Sequence, residues 1–335
     1  MAINQPVNQS TNTMPPIQIT GINTPISPFA LGTAFYRMDD SAACFELLDA
    51  YVEAGGTVID SARSYGQSED VLGAWFTVRP DAKDQVLLIT KCGHGPEWKL
   101  PERNFAAGVQ KELATSLDTL KTDVIDLYIL HRDNQEMPVS TILEALQPAI
   151  DSGQVRALGA SNWEYRRVIE ANGYAEQHGL TGFAVVSNTL SLAQPSAAFY
   201  TGLVQADPIG ERWHQETGIS LLPWSAQARG FFAGIVTPEM RADPSIALPE
   251  QPTFTSRMLK VYGTDNNFAR LERAKTLGEQ KGGYTAIEVA LAWLLHKPFP
   301  VIPVVGPRTV DELESCRRAS ELSLAENEIR WLEEG

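Results

Sequence analysis

The sequence predicts an α/β protein that forms one closed (β/α)8 barrel in a single domain. Eight short runs rich in Val, Ile and Leu recur along the 335 residues. They lie roughly 30 to 40 residues apart except before the last, a spacing that suits one strand and one helix per repeat. The glycine patterns GxGxxG and GxxxxGK[ST], typical of doubly wound nucleotide-binding sheets, are both missing from the sequence. Together these observations favour the TIM barrel over an open sheet.

The eight apolar runs are the predicted strands, and segments with helical periodicity separate them. The predicted strands are 29–32, 57–60, 86–90, 125–130, 155–159, 183–187, 219–223 and 300–305. After the third strand, Val109, Leu113 and Leu117 recur every four residues, as expected for one buried helix face. Two capping-box patterns, 141–144 (TILE) and 309–312 (TVDE), predict helix starts after the fourth and eighth strands.

The remaining segments complete the predicted domain organisation. Residues 1–16 are polar and proline-containing, which predicts a flexible N-terminal tail, and 17–335 form the barrel. Residues 230–265 are rich in Pro, Met and Thr and predict a long loop over the C-terminal rim. A last helix is predicted at about 323–334, starting from the pattern Ser323 to Glu326.

Composition excludes several classes of function. The formal net charge is −14, which disfavours binding to nucleic acids and anionic membrane surfaces. Every long apolar run is interrupted by a charge or a proline before it could span a bilayer. Three widely separated cysteines indicate a reducing compartment, and residues 1–36 lack the basic start of a signal peptide, so a cytoplasmic protein is expected. The sequence does not decide the oligomeric state.

Ionisable residues stand at the ends of three consecutive predicted strands. The second strand ends in Asp60, Lys91 directly follows the third and His131 the fourth, while Tyr65 lies five residues after Asp60. In such barrels the carboxyl ends of the strands carry the chemistry. Asp60 and Lys91 on adjacent strands could neutralise each other, and a lysine beside the Tyr65 hydroxyl would lower the phenol pKa from its usual value of about 10. Tyr65 is therefore a candidate proton donor to a carbonyl oxygen, which His131 could help to position.

Several segments together resemble the signature motifs of the aldo-keto reductase family. These are 56–62 (GTVIDSA) with Tyr65, Gly66 and Glu69, then 89–91 (ITK), 126–131 (DLYILH) and 159–162 (GASN). The resemblance implies a (β/α)8 barrel that transfers a hydride between a nicotinamide cofactor and a carbonyl or alcohol. It implies Tyr65 as proton donor, Lys91 and Asp60 as the pair that tunes its pKa, and His131 as the group that orients the substrate. No metal is required, and the five histidines show no metal-binding spacing.

The same resemblance implies a cofactor site. Ser161 and Asn162 match the pair that holds the nicotinamide carboxamide, Trp224 matches the stacking aromatic ring, and Arg308 matches the contact to a 2′-phosphate. The complete set of expected cofactor contacts is Gly32, Thr33, Asp60, Ser161, Asn162, Ser187, Trp224, Ser225, Ala226, Gln227, Gly230, Gly306, Arg308, Glu312 and Cys316. NADP(H) is therefore the expected cofactor, and NAD(H) is the alternative.

This chain departs from the family pattern at several positions near the expected cofactor. Ser187 stands where a glutamine is common, and Ser315 and Cys316 replace a Glu-Asn pair near the adenine. Glu312 would place a negative charge near a 2′-phosphate unless Arg308 screens it. These departures keep an NAD(H)-preferring sugar or alcohol dehydrogenase as an alternative function.

The expected reaction is the reduction of a small aldehyde, ketone or sugar carbonyl, or the oxidation of the corresponding alcohol. Four aromatic residues just past strand ends are expected to line the substrate pocket: Phe35, Tyr36, Trp98 and Trp163. A cofactor-binding regulatory subunit without significant turnover is a further alternative, because such relatives can retain the four catalytic residues. A metal-dependent hydrolase lacks ligands in the sequence.

Overall fold

The computed structural model describes residues 17–94, 101–243, 246 and 252–335, and within them eight parallel strands form a barrel. The predicted tail 1–16 and Trp98 lie outside these residues. Consecutive strands are neighbours from β1 to β7, and β8 pairs with β1. The strands are β1 Ala30–Gly32, β2 Val58–Asp60, β3 Leu87–Cys92, β4 Ile125–Leu130, β5 Val155–Ser161, β6 Phe183–Ser187, β7 Ser220–Leu221 and β8 Val304–Val305.

The barrel closes between β7 and the segment that leads into β8. Leu221 N donates to Pro300 O at 2.9 Å, and Ile302 N donates to Leu221 O at 2.8 Å. The predicted strand 300–305 is reduced to Val304–Val305 because Pro300 and Pro303 have no N–H to donate to a ladder. Their carbonyl oxygens still accept bonds from both neighbouring strands, so the eight-stranded barrel of the prediction is confirmed.

Helices surround the barrel and follow the strands in alternation. In the described residues they are α1 Ser41–Glu53, α2 Ser68–Val78, α3 Glu102–Leu120, α4 Val139–Asp151, α5 Tyr165–His178, α6 Pro208–Thr217, α7 Pro238–Ala242, α8 Pro252–Tyr262, α9 Asp265–Gln280, α10 Ala286–Leu295, α11 Val310–Glu321 and α12 Glu326–Glu334. The segment 230–265, predicted as a long loop, contains α7 and α8. No helix in these ranges is both long and apolar enough to cross a lipid bilayer.

Two helix starts differ from their predicted positions. Helix α4 begins at Val139, before the predicted cap Thr141, whose hydroxyl instead donates to Glu102 at 2.5 Å. Helix α12 begins at Glu326 rather than about 323, because the Glu328 carboxylate accepts the N–H of Ala325 at 2.7 Å and so caps the helix there.

Two hydrophobic clusters hold the layers together. One fills the barrel interior, with Leu87, Leu127 and Val185 among its members, and Ile19 packs into it from the segment before β1. The other lies between the strands and the surrounding helices. A packed interior of this kind leaves the loops at the carboxyl ends of the strands as the place for a functional site.

Candidate active site

The carboxyl ends of β2, β3 and β4 bring three ionisable side chains to one rim of the barrel. Asp60 is the last residue of β2, Lys91 the penultimate residue of β3, and His131 directly follows β4. The strand register aligns Asp60 with Ile89 and Lys91 with Ile129, so the three positions lie on adjacent strands at similar height. Parallel pairing therefore gathers residues that are far apart in the sequence.

Lys91 and Asp60 form a buried ion pair. Lys91 Nζ donates to Asp60 Oδ1 at 2.5 Å and to the carbonyl oxygen of Ser61 at 2.9 Å, and both side chains are nearly inaccessible to solvent. Burial raises the pKa of the Asp60 carboxyl, and the Lys91 ammonium counteracts that shift. Burial lowers the pKa of Lys91, but Asp60 and Tyr65 outweigh it and the net shift is upward. Lys91 therefore remains charged at neutral pH.

Tyr65 lies beside this ion pair. Its hydroxyl is 3.4 Å from Lys91 Nζ, and Lys91 Nζ is 4.9 Å from the centre of the phenol ring. Burial raises the pKa of Tyr65 above its usual value of 10.0, Lys91 lowers it and Asp60 raises it further. The expected lowering is therefore wrong in this structure, because desolvation of the phenolate outweighs the attraction of the ammonium. The hydroxyl is protonated at neutral pH and available as a proton donor.

His131 completes the group on the other side of Tyr65. The two rings meet edge-on, with centroids 5.5 Å apart, and His131 Nδ1 is 3.3 Å from the Ser64 hydroxyl. Burial lowers the pKa of His131 well below 6.5, and Lys91, His94 and Arg132 add to this effect. The imidazole is therefore neutral, and when the Ser64 hydroxyl donates to Nδ1, the other nitrogen Nε2 carries the N–H donor.

A hydroxyl network that the sequence analysis missed fixes the backbone at Asp60. Ser68 Oγ lies 2.5 Å from Thr33 Oγ1 and 2.8 Å from Ser61 Oγ. Thr33 donates to the Asp60 carbonyl oxygen through both its backbone N–H and its hydroxyl. Thr33, expected to contact the cofactor, is wholly buried and uses its hydroxyl within this network. The clustering of Ser and Thr after strands β1 and β2 was the available signal.

Ser161 and Asn162 lie at the end of β5 with their polar groups engaged by the protein. Ser161 Oγ donates to Ser187 O at 2.8 Å, and Asn162 Nδ2 donates to the carbonyl oxygen of His131 at 3.3 Å. Asn162 Oδ1 accepts from Val204 N at 3.2 Å, and the residue adopts φ +60°. These contacts hold the loops after β4, β5 and β6 together beside His131.

Two expected cofactor contacts have buried polar atoms that no described residue satisfies. They are the hydroxyl of Ser187 at the end of β6 and the indole Nε1 of Trp224 after β7. Buried polar groups are normally hydrogen-bonded, so unsatisfied ones at a barrel mouth fit a ligand that supplies the partner. This position suits a cofactor with amide or phosphate oxygens.

The loop after β7 has an unusual backbone. Ser225 adopts φ +53°, and Ala228, Arg229 and Gly230 follow with φ +48°, +55° and +88°. Left-handed conformations at residues other than glycine cost free energy and occur often at ligand-binding loops. Ala226, expected to contact the cofactor, is buried within this loop.

Gln227 and Cys316 meet, with Gln227 Nε2 lying 3.7 Å from Cys316 Sγ. This contact joins the loop after β7 to α11. The two expected cofactor residues thus lie together, although Cys316 itself is buried at 3% exposure.

The start of α11 presents an exposed guanidinium. The helix is capped by Thr309, whose hydroxyl accepts from Glu312 N at 3.2 Å, while the Glu312 carboxylate accepts from Arg308 N at 2.7 Å. The Arg308 guanidinium lies 4.8 Å from the ring centre of Phe35, and Gly306 is exposed next to it.

At Gly32 on β1, an added Cβ would lie 2.9 Å from Val304 of β8, so glycine is required there by strand packing.

The residues predicted to line the substrate pocket differ in their exposure. Phe35 is 59% exposed at the rim, but Tyr36 is buried in the hydrophobic core. Trp163 is wholly buried, with its ring 5.1 Å from that of Phe183 and 5.3 Å from the Arg167 guanidinium. Tyr36 and Trp163 therefore do not line an open pocket in this structure, because both side chains are buried in the core.

Two aromatic residues not expected from the sequence, Phe199 and Tyr262, border the mouth together with Trp224. Phe199, Tyr262 and Trp224 line a cavity of about 250 Å³ next to the loop after β7.

Among the described residues, no group of three or more His, Cys, Asp or Glu side chains is arranged to hold a metal ion.

Comparison with known proteins identifies the family. The model of the aldo/keto reductase family matches residues 29–334. Norsolorinic acid reductase stcV of Emericella nidulans is 30% identical over 328 residues, covering 92% of this chain and 78% of the relative. The putative aryl-alcohol dehydrogenase AAD14 of Saccharomyces cerevisiae is 27% identical over 332 residues, covering 92% and 82%.

A solved structure supports the fold. The crystal structure of the thermostable aldo-keto reductase Tm1743, in complex with the inhibitor epalrestat, superposes with a TM-score of 0.68 at 21% sequence identity. The superposition covers 96% of this chain and 99% of that one. The family match over nearly the whole barrel, together with these relatives, shows that this chain belongs to the aldo/keto reductase family of oxidoreductases.

Proposed function

We propose that this enzyme is an NADP(H)-dependent oxidoreductase that reduces an aldehyde, ketone or sugar carbonyl, or oxidises the corresponding alcohol. The observation that carries the proposal is the placement of the Tyr65 hydroxyl 3.4 Å from Lys91 Nζ, with Asp60 paired to that lysine and His131 against the phenol ring. Family members generally use nicotinamide cofactors.

Tyr65 acts as the general acid in the reductive direction. A reduced nicotinamide cofactor, when bound, supplies the hydride that the carbonyl carbon accepts. The carbonyl oxygen then takes the proton of the Tyr65 hydroxyl, which leaves a phenolate 3.4 Å from the Lys91 ammonium. Lys91 stabilises that phenolate, and Asp60 keeps the ammonium charged and in position. The neutral His131 donates a hydrogen bond to the same oxygen through Nε2.

The residues around the mouth fit a dinucleotide cofactor. Ser187 Oγ and Trp224 Nε1 offer unsatisfied polar atoms near the expected nicotinamide, and α11 begins beside the exposed Arg308. A helix N-terminus with a guanidinium suits a phosphate group, which supports NADP(H) over NAD(H). Glu312 already accepts a hydrogen bond from Arg308 N, so its carboxylate is partly satisfied within the protein.

Aromatic aldehydes are the first substrates to test. Two relatives bear names that refer to aryl alcohols and to norsolorinic acid. The aromatic residues Phe199, Trp224 and Tyr262 beside the loop after β7 would favour stacking with such a ring.

Replacing Tyr65 with phenylalanine tests the assigned role. Tyr65→Phe removes the transferable proton, so kcat with an aromatic aldehyde and NADPH should fall by about 10² to 10⁴. NADPH affinity, followed by tryptophan quenching, should change by less than about threefold because the residue acts in proton transfer. The control Tyr174→Phe removes a hydroxyl that bonds to Glu144 on the outer helices and should leave kcat unchanged. Full activity of Tyr65→Phe would refute the role.

The same quenching titration decides the cofactor. Tighter binding of NADPH than of NADH would support Arg308 as the phosphate ligand. A preference for NADH would instead indicate that the Glu312 carboxylate dominates at the start of α11. Binding of neither by folded protein would contradict the proposed function.

A further inference from the structure

A group of arginines borders the barrel mouth, and no carboxylate of the described residues pairs with them. We call Arg132, Arg229 and Arg257 the mouth arginines. Arg132 directly follows His131, donates to Gly202 O at 2.8 Å and lies 3.5 Å from His94 Nε2. Among the described residues, none of the three forms an ion pair with a carboxylate. In a chain with a net charge of −14, this local excess of positive charge is unusual.

Arg229 and Arg257 stack on the same two aromatic rings. The Arg229 guanidinium carbon is 4.3 Å from the ring centre of Phe199 and 5.7 Å from that of Tyr200. The Arg257 guanidinium carbon is 5.5 Å and 4.7 Å from the same two rings. Arg229 also lies 6.0 Å from the Trp224 ring. The two guanidinium groups carry like charges and repel each other. An anion bound between them or beside them would offset this repulsion.

The Arg229 side chain has one buried donor that the described residues leave unsatisfied. Its Nε atom is buried and has no hydrogen-bond partner among the described residues. Burial lowers the pKa of Arg229, with Arg257 acting in the same direction, and the nearby phenols of Tyr262, Tyr200 and Tyr65 oppose this. The charge of Arg229 also lowers the pKa of Tyr65, and part of the hydrogen-bonding capacity of its guanidinium is unused.

The backbone holds Arg229 in this position at a cost. Arg229 lies between two further left-handed residues, Ala228 and Gly230, and the turn is closed by Ala228 N donating to Ser225 O at 2.8 Å. An arginine avoids this conformation unless its surroundings impose it, and such conformations concentrate at binding sites. The conformation of the loop directs the side chain across the mouth towards Phe199 and Trp224.

We propose that Arg229, assisted by Arg257, binds an anionic group of the substrate, so that the enzyme prefers carbonyl compounds that carry a carboxylate or a similar anion. The guanidinium fork matches two carboxylate oxygens, and the neighbouring rings would pack against the body of the substrate. This inference rests on the proposed function, since it names the substrate class of the same site. The pyrophosphate of the cofactor is the other possible source of an anion here, and the experiments distinguish the two.

The kinetic test uses two aldehydes of similar shape, the anionic 4-carboxybenzaldehyde and the neutral methyl 4-formylbenzoate. Wild-type enzyme should show a kcat/KM about tenfold higher for the acid, as expected for one charge-assisted hydrogen-bonded pair. Arg229→Gln should remove this preference by lowering kcat/KM for the acid about tenfold, while the value for the ester changes less than about threefold. The control Arg166→Gln removes an exposed arginine that pairs with Glu164 on the outer surface, and should keep the wild-type ratio.

The binding test needs no turnover. Calorimetric titration with 4-carbamoylbenzoate and with its methyl ester, with and without NADP⁺, measures affinity for a ligand that lacks a reducible carbonyl. Arg229→Gln should raise the Kd of the acid about tenfold and leave that of the ester unchanged. Arg229→Lys should retain part of the affinity, because it keeps the charge but loses the planar fork.

Two results would overturn the proposal. One is a wild-type enzyme that treats acid and ester alike in both rate and binding. The other is an Arg229→Gln enzyme in which NADPH affinity falls and kcat/KM falls equally for both aldehydes. That result would assign Arg229 to the cofactor pyrophosphate. A protein that binds 4-carbamoylbenzoate through Arg229 but binds neither NADPH nor NADH would support the anion site and refute the proposed function.

Discussion

Burial moves the pKa values of Tyr65 and His131 in opposite directions, away from neutral pH. The pKa of Tyr65 is raised above 10.0 by burial, and that of His131 is lowered well below 6.5 by burial and then by Lys91. Tyr65 loses its proton only above its raised pKa, and His131 gains one only below its lowered pKa. The acid and the neutral donor are therefore both present over the whole range between them.

The kcat for carbonyl reduction should accordingly vary by less than about twofold between about pH 6.5 and pH 9. Alcohol oxidation needs the phenolate, so its kcat should rise with pH throughout that range. Steady-state rates in both directions measure this contrast. A decline in the reductive rate with a midpoint near pH 8 would contradict the raised pKa of Tyr65.

A His94→Asn variant serves as the control at the acidic end. Burial, followed by Arg132, lowers the pKa of His94, and its ring lies 4.7 Å from that of His131. If an acidic decline in the wild-type rate disappears in this variant, the titrating group is His94. If a decline with a midpoint above pH 6.5 persists, His131 itself titrates there, and the assignment of a neutral imidazole at neutral pH is wrong.

At the residue scale, the sequence predicts where a residue lies along a strand better than it predicts the direction of its side chain. Asp60, Lys91 and His131 could be placed together because parallel strands bring their carboxyl ends to one rim. Trp163 also follows a strand, but its ring lies against Phe183 of the next strand. That contact depends on residues distant in the sequence, so a strand-end position alone could not exclude Trp163 from the pocket.

At the element scale, two glycines inside helices have opposite surroundings. A Cβ added at Gly73 of α2 would lie 2.0 Å from the carbonyl oxygen of Thr119 in α3, whereas at Gly173 of α5 no atom lies within 4 Å. The α2–α3 contact thus depends on the missing side chain, since a backbone carbonyl cannot move aside cheaply. Gly173 has no such packing reason.

Gly73→Ala should destabilise the protein by about 2 kcal/mol, because the two helices must separate. Gly173→Ala should instead stabilise it by up to about 1 kcal/mol, as alanine is the better helix former. Urea unfolding followed by circular dichroism gives both free energies. Equal effects of the two substitutions would show that the helix contact does not limit stability.

Capping patterns illustrate why element boundaries are harder to predict than elements. Thr309 caps α11 as its pattern predicts, whereas Thr141, with the same pattern, lies inside α4 and bonds to Glu102 of α3. The two threonines differ in where the helix begins, because α4 starts at Val139 and so leaves the Thr141 hydroxyl to bond to Glu102. Local sequence cannot distinguish them, although both helices were expected.

At the scale of the whole molecule, the repeat of apolar runs was enough to predict the closed barrel. The place where the barrel closes, between β7 and the segment that leads into β8, was not predictable in detail. Strands β7 and β8 have only two residues each, and Pro300 and Pro303 interrupt the hydrogen-bond ladder. Closure instead relies on carbonyl oxygens that both prolines keep. A closed barrel gives every strand two neighbours, so loss of packing anywhere around it should be felt by the entire domain.

The C-terminal helix α12 is held against the barrel by hydrophobic packing and by hydrogen bonds from α9 and α10. Leu332 is wholly buried in the outer hydrophobic cluster. Arg270 and Arg273 of α9 donate to the carbonyl oxygens of Glu333 and Leu332, and Trp293 of α10 donates to the Glu333 carboxylate at 2.9 Å. Hydrogen bonds from arginines to the last carbonyls of a helix satisfy groups that the helix itself cannot.

Leu332→Ala should therefore lower the free energy of unfolding of the whole domain by about 3 kcal/mol. Tryptophan fluorescence, to which Trp293 of α10 and Trp331 of α12 contribute together with the other five tryptophans, should shift to the same lower urea midpoint as circular dichroism, which reports on all helices. The control Val310→Ala truncates a side chain that is 40% exposed at the start of α11 and should change stability by less than about 0.5 kcal/mol. A fluorescence transition that moves alone, with an unchanged circular dichroism midpoint, would mean that α12 unfolds separately. The barrel and its C-terminal helix would then be two cooperative units. The hydrogen bonds from Arg270 and Arg273 would not be enough to make them unfold together.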